Sequence, residues 1–220
     1  MSHRSIEAFK RLVRAPAVLV CTSEFSEDGP LSVRELEYIA PAVVSRRSDF
    51  ATGRACAVAA LRQLGTEVRS LERSEGRQPV WPHGTLGSIT HCEGLCAAAA
   101  AWAGEVRFLG IDAEPNVPLK DKVLERISSR AERDGIAAGD GSGFSGKTLF
   151  SAKESIFKAL YPAVDAYFGF EEVEILFSGG DGLFTASLSA MLQDRTGLKE
   201  IEGRYATTLE HTMTVVQVAR

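Results

Sequence analysis

The chain has 220 residues, of which 45% are hydrophobic and 25% charged, a composition typical of a globular protein with one large domain or two small ones. Its formal net charge of −4 argues against non-specific nucleic-acid binding, which needs a broad excess of Lys and Arg. No apolar run approaches the roughly 20 residues of a membrane helix and no signal peptide is recognisable, so we expect a cytoplasmic monomer that binds no membrane.

Hydrophobic periodicity and turn residues predict the elements of the first half of the chain. Apolar residues at helical spacing alternate with runs of β-forming residues such as AVLVCT. Gly65 is placed to end the longest predicted helix. The predicted elements are a helix over 5–14, a strand over 17–22, a helix over 50–64, a polar loop over 66–78, and two strands, GSITH and GLCAAAAAW.

The second half repeats the order of helix and hairpin. A weak local echo accompanies it, FATGRACAVAAL against FSAKESIFKALY. We therefore predict an α+β fold with two similar lobes, 1–106 and 107–220, and a ligand site in the cleft between them. The elements predicted here are a strand over 105–114, a helical or loop stretch that ends in a mobile loop at GDGSGFSG, a helix over 147–160, a hairpin of 173–177 and 183–188 joined by SGGDG, and a last strand over 213–218.

Arginines are concentrated in one segment of an otherwise acidic chain. Between residues 46 and 77, seven arginines stand against four acids, so this segment carries +3 and the remainder −7. A local positive site in an acidic protein suits a compact polyanion better than a long nucleic acid. A helix with a solvated arginine face explains the charge equally well.

The first motif with chemical meaning is GIDAE, at the end of a predicted strand. Because side chains alternate along a strand, Asp112 and Glu114 share one face, roughly 7 Å apart, and Ile111 and Ala113 share the other. Two carboxylates on one face attract a hard divalent cation, Mg²⁺ or Mn²⁺. The alternative is an exposed strand end with two solvated acids, and a single D-x-E pattern favours that alternative.

The second motif is FSAKESIFK, on a predicted helix. Glu154 and Lys158 lie one turn apart on one side of this helix, and Lys153 lies beside them. A third carboxylate flanked by two ammonium groups can complete a metal site and hold phosphates. For this motif alone, an ordinary surface ion pair is the simpler interpretation.

The third motif is GSITHC, a short strand that ends in a hydroxyl, an imidazole and a thiol. Thr90 and His91 can donate hydrogen bonds to a phosphate, and His91 can act as acid or base, although a lone histidine after a strand is more often structural. Zinc binding by His91, Cys92 and Cys96 lacks a second pair of ligands. A Cys92 nucleophile paired with His91 is awkward, because neighbours on a strand point to opposite faces.

In this order and at these separations, WPHGTLGSITHC, GIDAE and FSAKESIFK resemble the 4′-phosphopantetheinyl transferase family. The likeness includes RRSDFATGR upstream and so covers roughly residues 46 to 170. It points to the longer class that serves bacterial secondary metabolism and siderophore assembly. The one departure is Ala113, where the family often has a larger aliphatic residue, and we expect it to affect packing only.

The resemblance implies two α+β lobes related by a pseudo-twofold axis, with coenzyme A in the cleft. It implies an enzyme that moves the phosphopantetheine arm of coenzyme A to a serine of an apo acyl or peptidyl carrier protein and releases 3′,5′-ADP. By resemblance, Asp112, Glu114 and Glu154 coordinate Mg²⁺ (or Mn²⁺), and Asp112, Glu154 and Lys158 are catalytic. For coenzyme A, the resemblance implies that Lys153 and Lys158 hold the phosphates, that Thr90 and His91 contact the nucleotide side, and that Asp112 reaches the pyrophosphate through the metal. It also implies that Tyr167 lies near the pantetheine arm. The residues implied for the 3′-phosphate and the adenosine are Arg46 and Arg54 with the nucleotide loop Arg73, Ser74, Glu75 and Gly76.

Several alternatives stay open at this point. Glu154 and His91 are both candidates for the base that deprotonates the serine, and Glu154 is the one we favour. A coenzyme A binding module without catalysis, using the same arginines, is the main competing function. A hydrolase that uses Cys92 and His91 is another. The sequence does not indicate the carrier protein or the surface on which it docks.

Overall fold

A computed structural model describes residues 2–74, 78–139, 144–178 and 182–220. None of the helices in these ranges is long and apolar enough to cross a membrane. The helices are α1 (Ser2–Leu12), α2 (Val33–Ile39), α3 (Val44–Gln63), α4 (Asp121–Ile127), α5 (Arg130–Ala138), α6 (Gly146–Val164) and α7 (Ala190–Thr196). The strands are β1 (Val18–Thr22), β2 (Glu72–Arg73), β3 (Pro79–Val80), β4 (Thr85–Cys92), β5 (Leu95–Trp102), β6 (Val106–Pro115), β7 (Val173–Ser178), β8 (Leu183–Leu188), β9 (Glu200–Thr207) and β10 (His211–Ala219).

Each half of the chain places a long helix on an antiparallel sheet. The first sheet has the strand order β1-β5-β4 and is covered by α3, and the second has the order β6-β10-β9-β8-β7 and is covered by α6. The predicted α+β class is therefore confirmed. The change of sheet falls at Val106, but the division into lobes 1–106 and 107–220 stays a prediction.

The strand β5 has no polar side because both of its faces are buried. Ala98 and Ala100 pack in the core beneath α3, whereas Ala97, Ala99 and Ala101 face a second core shared with β6 and β10. Small side chains on both faces let the helix and the neighbouring sheet approach closely. The alanine run is thus the layer on which the two halves meet.

The strand β6 divides its residues between that shared core and α6. Leu109, Ile111 and Ala113 enter the shared core, as the alternation along a strand requires. Gly110 faces α6 so closely that a Cβ atom there would overlap the backbone carbonyl of Ser155. This contact explains the glycine of GIDAE and brings α6 against the face that carries the two acids.

The predicted elements occur, but α2, α7, β9 and the two-residue strands β2 and β3 were not predicted. Of these, α2 begins at a capping box in which Ser32 and Glu35 each accept a hydrogen bond from the other's backbone amide. The strand β2 lies within the predicted polar loop over 66–78, and β3 directly follows that loop. The helix α3 begins at Val44, six residues before its predicted start. Part of the predicted mobile loop (140–143) and of the SGGDG turn (179–181) lies outside the described residues.

Candidate active site

The carboxylate of Asp112 is the most deeply buried acid of the predicted site, with 3% of the residue exposed. Its Oδ1 accepts hydrogen bonds from Lys158 Nζ at 2.7 Å and from Thr90 Oγ1 at 3.1 Å. Its Oδ2 is buried and has no hydrogen-bond partner within the part of the chain that the structure describes. Burying a carboxylate oxygen without a partner is costly, so this atom is suited to a ligand that brings positive charge.

Two further carboxylates lie near Asp112. Glu114 Oε2 accepts from Lys147 Nζ at 3.1 Å, and burial, with the charge of Asp112, raises the pKa of Glu114. Burial also raises the pKa of Glu154. The charge of Lys158 opposes this shift, and the charges of Asp112 and Glu114 add to it. The three groups therefore interact electrostatically, and a cation placed between them would relieve their repulsion.

The chemistry of these donors fits a hard divalent cation. Asp112, Glu114 and Glu154 offer carboxylate oxygens, the ligands that Mg²⁺ prefers, and the unpartnered Oδ2 of Asp112 is one of them. As the side chains stand, no three His, Cys, Asp or Glu residues among those described are gathered closely enough to hold a metal ion. Lys147 and Lys158 instead hold two of the acids.

Thr90 acts within the protein and supports Asp112. Its hydroxyl donates to Asp112 and accepts from the backbone amide of Ala113 at 3.2 Å. Ser88, two residues earlier on the same face of β4, accepts from the amide of Ile111 in the same way. These hydroxyls bridge β4 to β6. The role of Thr90 on the nucleotide side of coenzyme A stays a prediction.

His91 is half-buried beside α3. Its Nδ1 lies 3.8 Å from Asp49 Oδ2. Burial lowers its pKa, assisted by Arg46 and Lys158 and opposed by Asp49 and Asp112. These effects favour the neutral imidazole.

Lys153 is held inside the protein, and its phosphate contact stays a prediction. This residue is 3% exposed, and its Nζ donates to Glu132 Oε2 at 2.9 Å and to the carbonyls of Phe170 and Val173 at 3.1 and 2.9 Å. An ammonium group has three hydrogens, and all three are used here. Residues 153 and 154 point about 100° apart on a helix, so only Glu154 faces the cleft.

Arg54 is likewise held inside the protein, and its 3′-phosphate contact stays a prediction. Its side chain is 5% exposed, with Nε 2.5 Å from Oε1 of the fully buried Glu35 and the guanidinium above the Phe50 ring. This ion pair ties α3 to α2. Arg46, in contrast, is exposed, and its charge lowers the pKa of the nearby His91.

The predicted nucleotide loop is only partly described. Arg73 places its guanidinium 3.6 Å from the centre of the Tyr38 ring. Ser74 exchanges hydrogen bonds with the backbone of Gln78. Glu75 and Gly76 lie outside the described residues.

A cavity of about 310 Å³ opens between the first sheet and α6, next to Lys158. Trp81 lies over Gly87, where any Cβ atom would overlap its ring. Tyr167 is 82% exposed, and its ring centre lies 6.1 Å from that of Phe157, which lines the cavity. The lining residues are Gln78, Pro79, Trp81, Gly87, Ser88, Ile89, Phe157, Lys158, Tyr161 and Pro162.

The thiol of Cys92 is unsuited to nucleophilic catalysis. Burial, with the charges of Glu114 and Asp112, raises its pKa to about 12. The thiolate is the reactive form, so this thiol stays protonated and inert near neutral pH. The hydrolase interpretation therefore loses its nucleophile.

Sequence reasoning missed Lys147, although it begins the predicted helix. Positions 147, 154 and 158 are seven and four residues apart, so they fall on one side of an α-helix. That spacing was a usable signal. Glu132 and Glu35, the buried partners of Lys153 and Arg54, gave no such signal because they are distant in sequence and ordinary in context.

Family models of known proteins match both halves of the chain, and both models describe the same kind of enzyme. The family model described as the 4′-phosphopantetheinyl transferase N-terminal domain matches residues 34–101, and that of the 4′-phosphopantetheinyl transferase superfamily matches residues 108–209. Over 200 residues, the chain is 40% identical to the 4′-phosphopantetheinyl transferase Svp of Streptomyces mobaraensis, covering 87% of this chain and 81% of that protein. The chain belongs to the 4′-phosphopantetheinyl transferase superfamily.

Two further relatives extend the same result. The chain is 35% identical over 206 residues to the 4′-phosphopantetheinyl transferase Npt of Nocardia iowensis, covering 89% of this chain and 93% of that protein. It is 37% identical over 159 residues to PptT of Mycobacterium tuberculosis, covering 70% of each. The predicted family is confirmed, and with it the predicted enzyme class, which transfers 4′-phosphopantetheine to carrier proteins.

Proposed function

We propose that the cleft between β4, β6 and α6 binds coenzyme A with Mg²⁺, and that the enzyme transfers the phosphopantetheine arm to a serine of an apo carrier protein. The observation that carries this proposal is Asp112, a buried carboxylate with one unpartnered oxygen beside Lys158. A buried acid in this state is suited to a site that receives a cation and an anion together.

Asp112, Glu114 and Glu154 would hold the cation. When bound, it neutralises negative charge on the pyrophosphate and on the leaving phosphate oxygen. Lys158 lies between Asp112 and the cavity, so its ammonium group can pass from the carboxylate to a pyrophosphate oxygen. Thr90 fixes the orientation of Asp112 throughout.

The reaction would be a displacement at the β-phosphorus of coenzyme A. The serine oxygen forms the new bond to phosphorus, and the bond to 3′,5′-ADP breaks. Glu154 accepts the serine proton in this scheme, which is supported by the upward shift of its pKa that burial causes. Lys158 stabilises the charge that develops on the transferred phosphate.

The two ends of coenzyme A would lie on different surfaces. Arg46, near His91, and Arg73, above the Tyr38 ring, would supply the positive charge for the 3′-phosphate and the adenosine. The cavity lined by Phe157 and Tyr161 suits the pantetheine arm, because it offers apolar surface next to Lys158. Tyr167 stands at its outer edge, in contact with Phe157.

One assay tests the proposed function. The protein is incubated with coenzyme A, Mg²⁺ and an apo carrier protein, and the carrier is weighed by mass spectrometry. The expected result is a gain of one phosphopantetheine mass, which disappears in excess chelator. Binding of coenzyme A without any mass gain would indicate a binding module, and full turnover in chelator would exclude the metal site.

A further inference from the structure

Lys147 belongs to the cleft although it is in none of the family motifs quoted above. It lies in the first turn of α6, which begins after the capping box of Ser145 and Thr148. From there it shares a helix face with Glu154 and Lys158. Its side chain is 13% exposed, and its Nζ lies 3.1 Å from Glu114 Oε2.

Each acid of β6 therefore has its own lysine from α6. Lys158 binds Asp112, and Lys147 binds Glu114. With Glu154, the cleft contains three carboxylates and two ammonium groups, a formal charge of −1 for these five groups. Much of the positive charge that a metal would supply is already provided by the protein.

We propose that Lys147 is a positioning residue that competes with the divalent cation for Glu114 and so keeps the cation weakly bound until coenzyme A arrives. This inference rests on the proposed function. A cation at Glu114 must displace the ammonium group or lie close to it, and like charges at that distance repel. The pyrophosphate provides another anionic partner for Lys147 and so frees Glu114 for the cation. Coenzyme A and the cation therefore each strengthen the binding of the other.

The binding of Mn²⁺ to the metal-free protein tests this role without measuring turnover. The affinity is measured by calorimetry and by the electron paramagnetic resonance signal of free Mn²⁺, at about pH 8 so that the carboxylates are ionised. Lys147→Met removes the charge and keeps an unbranched side chain. We expect it to bind Mn²⁺ about tenfold more tightly, on the order expected for the loss of one neighbouring like charge.

Two variants control the measurement. Lys147→Arg keeps the positive charge and should stay close to the wild-type affinity. Lys199→Met removes an exposed lysine remote from the acids and should leave the affinity unchanged. In wild type, coenzyme A should tighten Mn²⁺ binding markedly, and in Lys147→Met this increase should be smaller.

The outcomes separate this inference from the proposed function. Suppose that the wild-type protein binds Mn²⁺ with coenzyme A and modifies the carrier. If Lys147→Met then binds Mn²⁺ no more tightly than wild type does, the inference alone is overturned. Wild-type protein that binds no Mn²⁺ with or without coenzyme A overturns both. A raised Mn²⁺ affinity in Lys147→Arg would also contradict it, because the charge is retained.

Discussion

At the scale of single residues, the partner of each ionisable group decides its role. Lys153 and Glu154 are neighbours in the chain, yet Lys153 is held by Glu132 and Glu154 faces the cleft. Lys158 and Arg46 keep part of their surface open to a ligand. Burial and pairing, more than residue type, therefore separate the cations held inside the protein from those open to a ligand.

Glu154 is expected to be the base that takes the serine proton. Glu154→Gln cannot accept that proton, so the transfer rate should fall by orders of magnitude, while coenzyme A binding in Mg²⁺, measured by calorimetry, falls much less. His91→Ala should chiefly weaken binding. If Glu154→Gln regains the full rate at high Mg²⁺, Glu154 is a metal ligand only, and the base is His91 or solvent.

Arg46 is expected to recognise the 3′-phosphate. It is exposed beside His91, and a charge-assisted hydrogen bond contributes about 1.5 to 3 kcal/mol. Arg46→Ala should lower the affinity for coenzyme A by roughly ten- to hundredfold and the affinity for 3′-dephospho-coenzyme A much less. Arg47→Ala is the matched control, since Arg47 pairs with Glu27 and the carbonyl of Ala42. Equal losses for both ligands would contradict the assignment.

At the scale of elements, α6 has two different polar faces. One carries Lys147, Glu154 and Lys158 toward the cleft, and the other buries Lys153 in a network with α5 and β7. Glu132 completes that network by accepting from the amides of Ser129 and Ile175 at 2.7 Å each. The network ties α6 to α5 and β7.

Removing Lys153 alone should cost stability, not phosphate binding. Lys153→Met leaves Glu132 charged and buried, a loss of about 3 to 5 kcal/mol in unfolding free energy, measured with denaturant. The double variant with Glu132→Gln should recover much of that loss, because no buried charge remains. The KM of the double variant for coenzyme A should match that of wild type. A KM that is raised in both the single and the double variant would show that Lys153 binds the phosphates.

The contact of α6 with β6 at Gly110 leaves no room for a side chain. In Gly110→Ala, the new Cβ would overlap the Ser155 carbonyl and approach the backbone of Ala159. Overpacking of this kind typically costs about 1 to 3 kcal/mol, and more where backbone must move. Thermal unfolding should show a clear loss of stability. Gly104→Ala, where a Cβ meets nothing within 4 Å, is the control and should lie near wild type.

At the scale of the whole molecule, the N-terminal helix joins the two sheets. In α1, Phe9 enters the core that β5 shares with β6 and β10, the Leu12 carbonyl accepts from Arg204 at 2.6 Å, and Ser5 lies 3.0 Å from His211 Nδ1. By sequence α1 belongs to the first lobe, but it packs against the second sheet as well.

We therefore expect the proposed lobes to unfold together. Calorimetry should give a single transition whose calorimetric and van't Hoff enthalpies agree, because the shared core would be exposed by separating either sheet. Phe9→Ala should lower the midpoint of that single transition. Two resolved transitions, of which only one responds to Phe9→Ala, would show that the lobes are independent.

The sequence by itself determined most of the elements and the positions of Asp112, Glu114 and Glu154 on them. Alternation along β6 was sufficient to put Asp112 and Glu114 on one face, and helical spacing put Glu154 and Lys158 one turn apart, because both depend only on local backbone geometry. The combination of these motifs was also sufficient to recognise the family. The same helical spacing could have predicted that Lys147 lies on the face of Glu154 and Lys158.

Only the tertiary structure decided which cations are free to bind a ligand. Arg54 and Lys153 were assigned to phosphates, and Glu35 and Glu132 hold them instead, across 19 and 21 residues of chain. Likewise, Thr90 binds Asp112 through the contact of β4 with β6. No local pattern encodes such pairs, since the partner of a buried charge is chosen by the packing of distant elements, and an unpaired charge there would be too costly to persist.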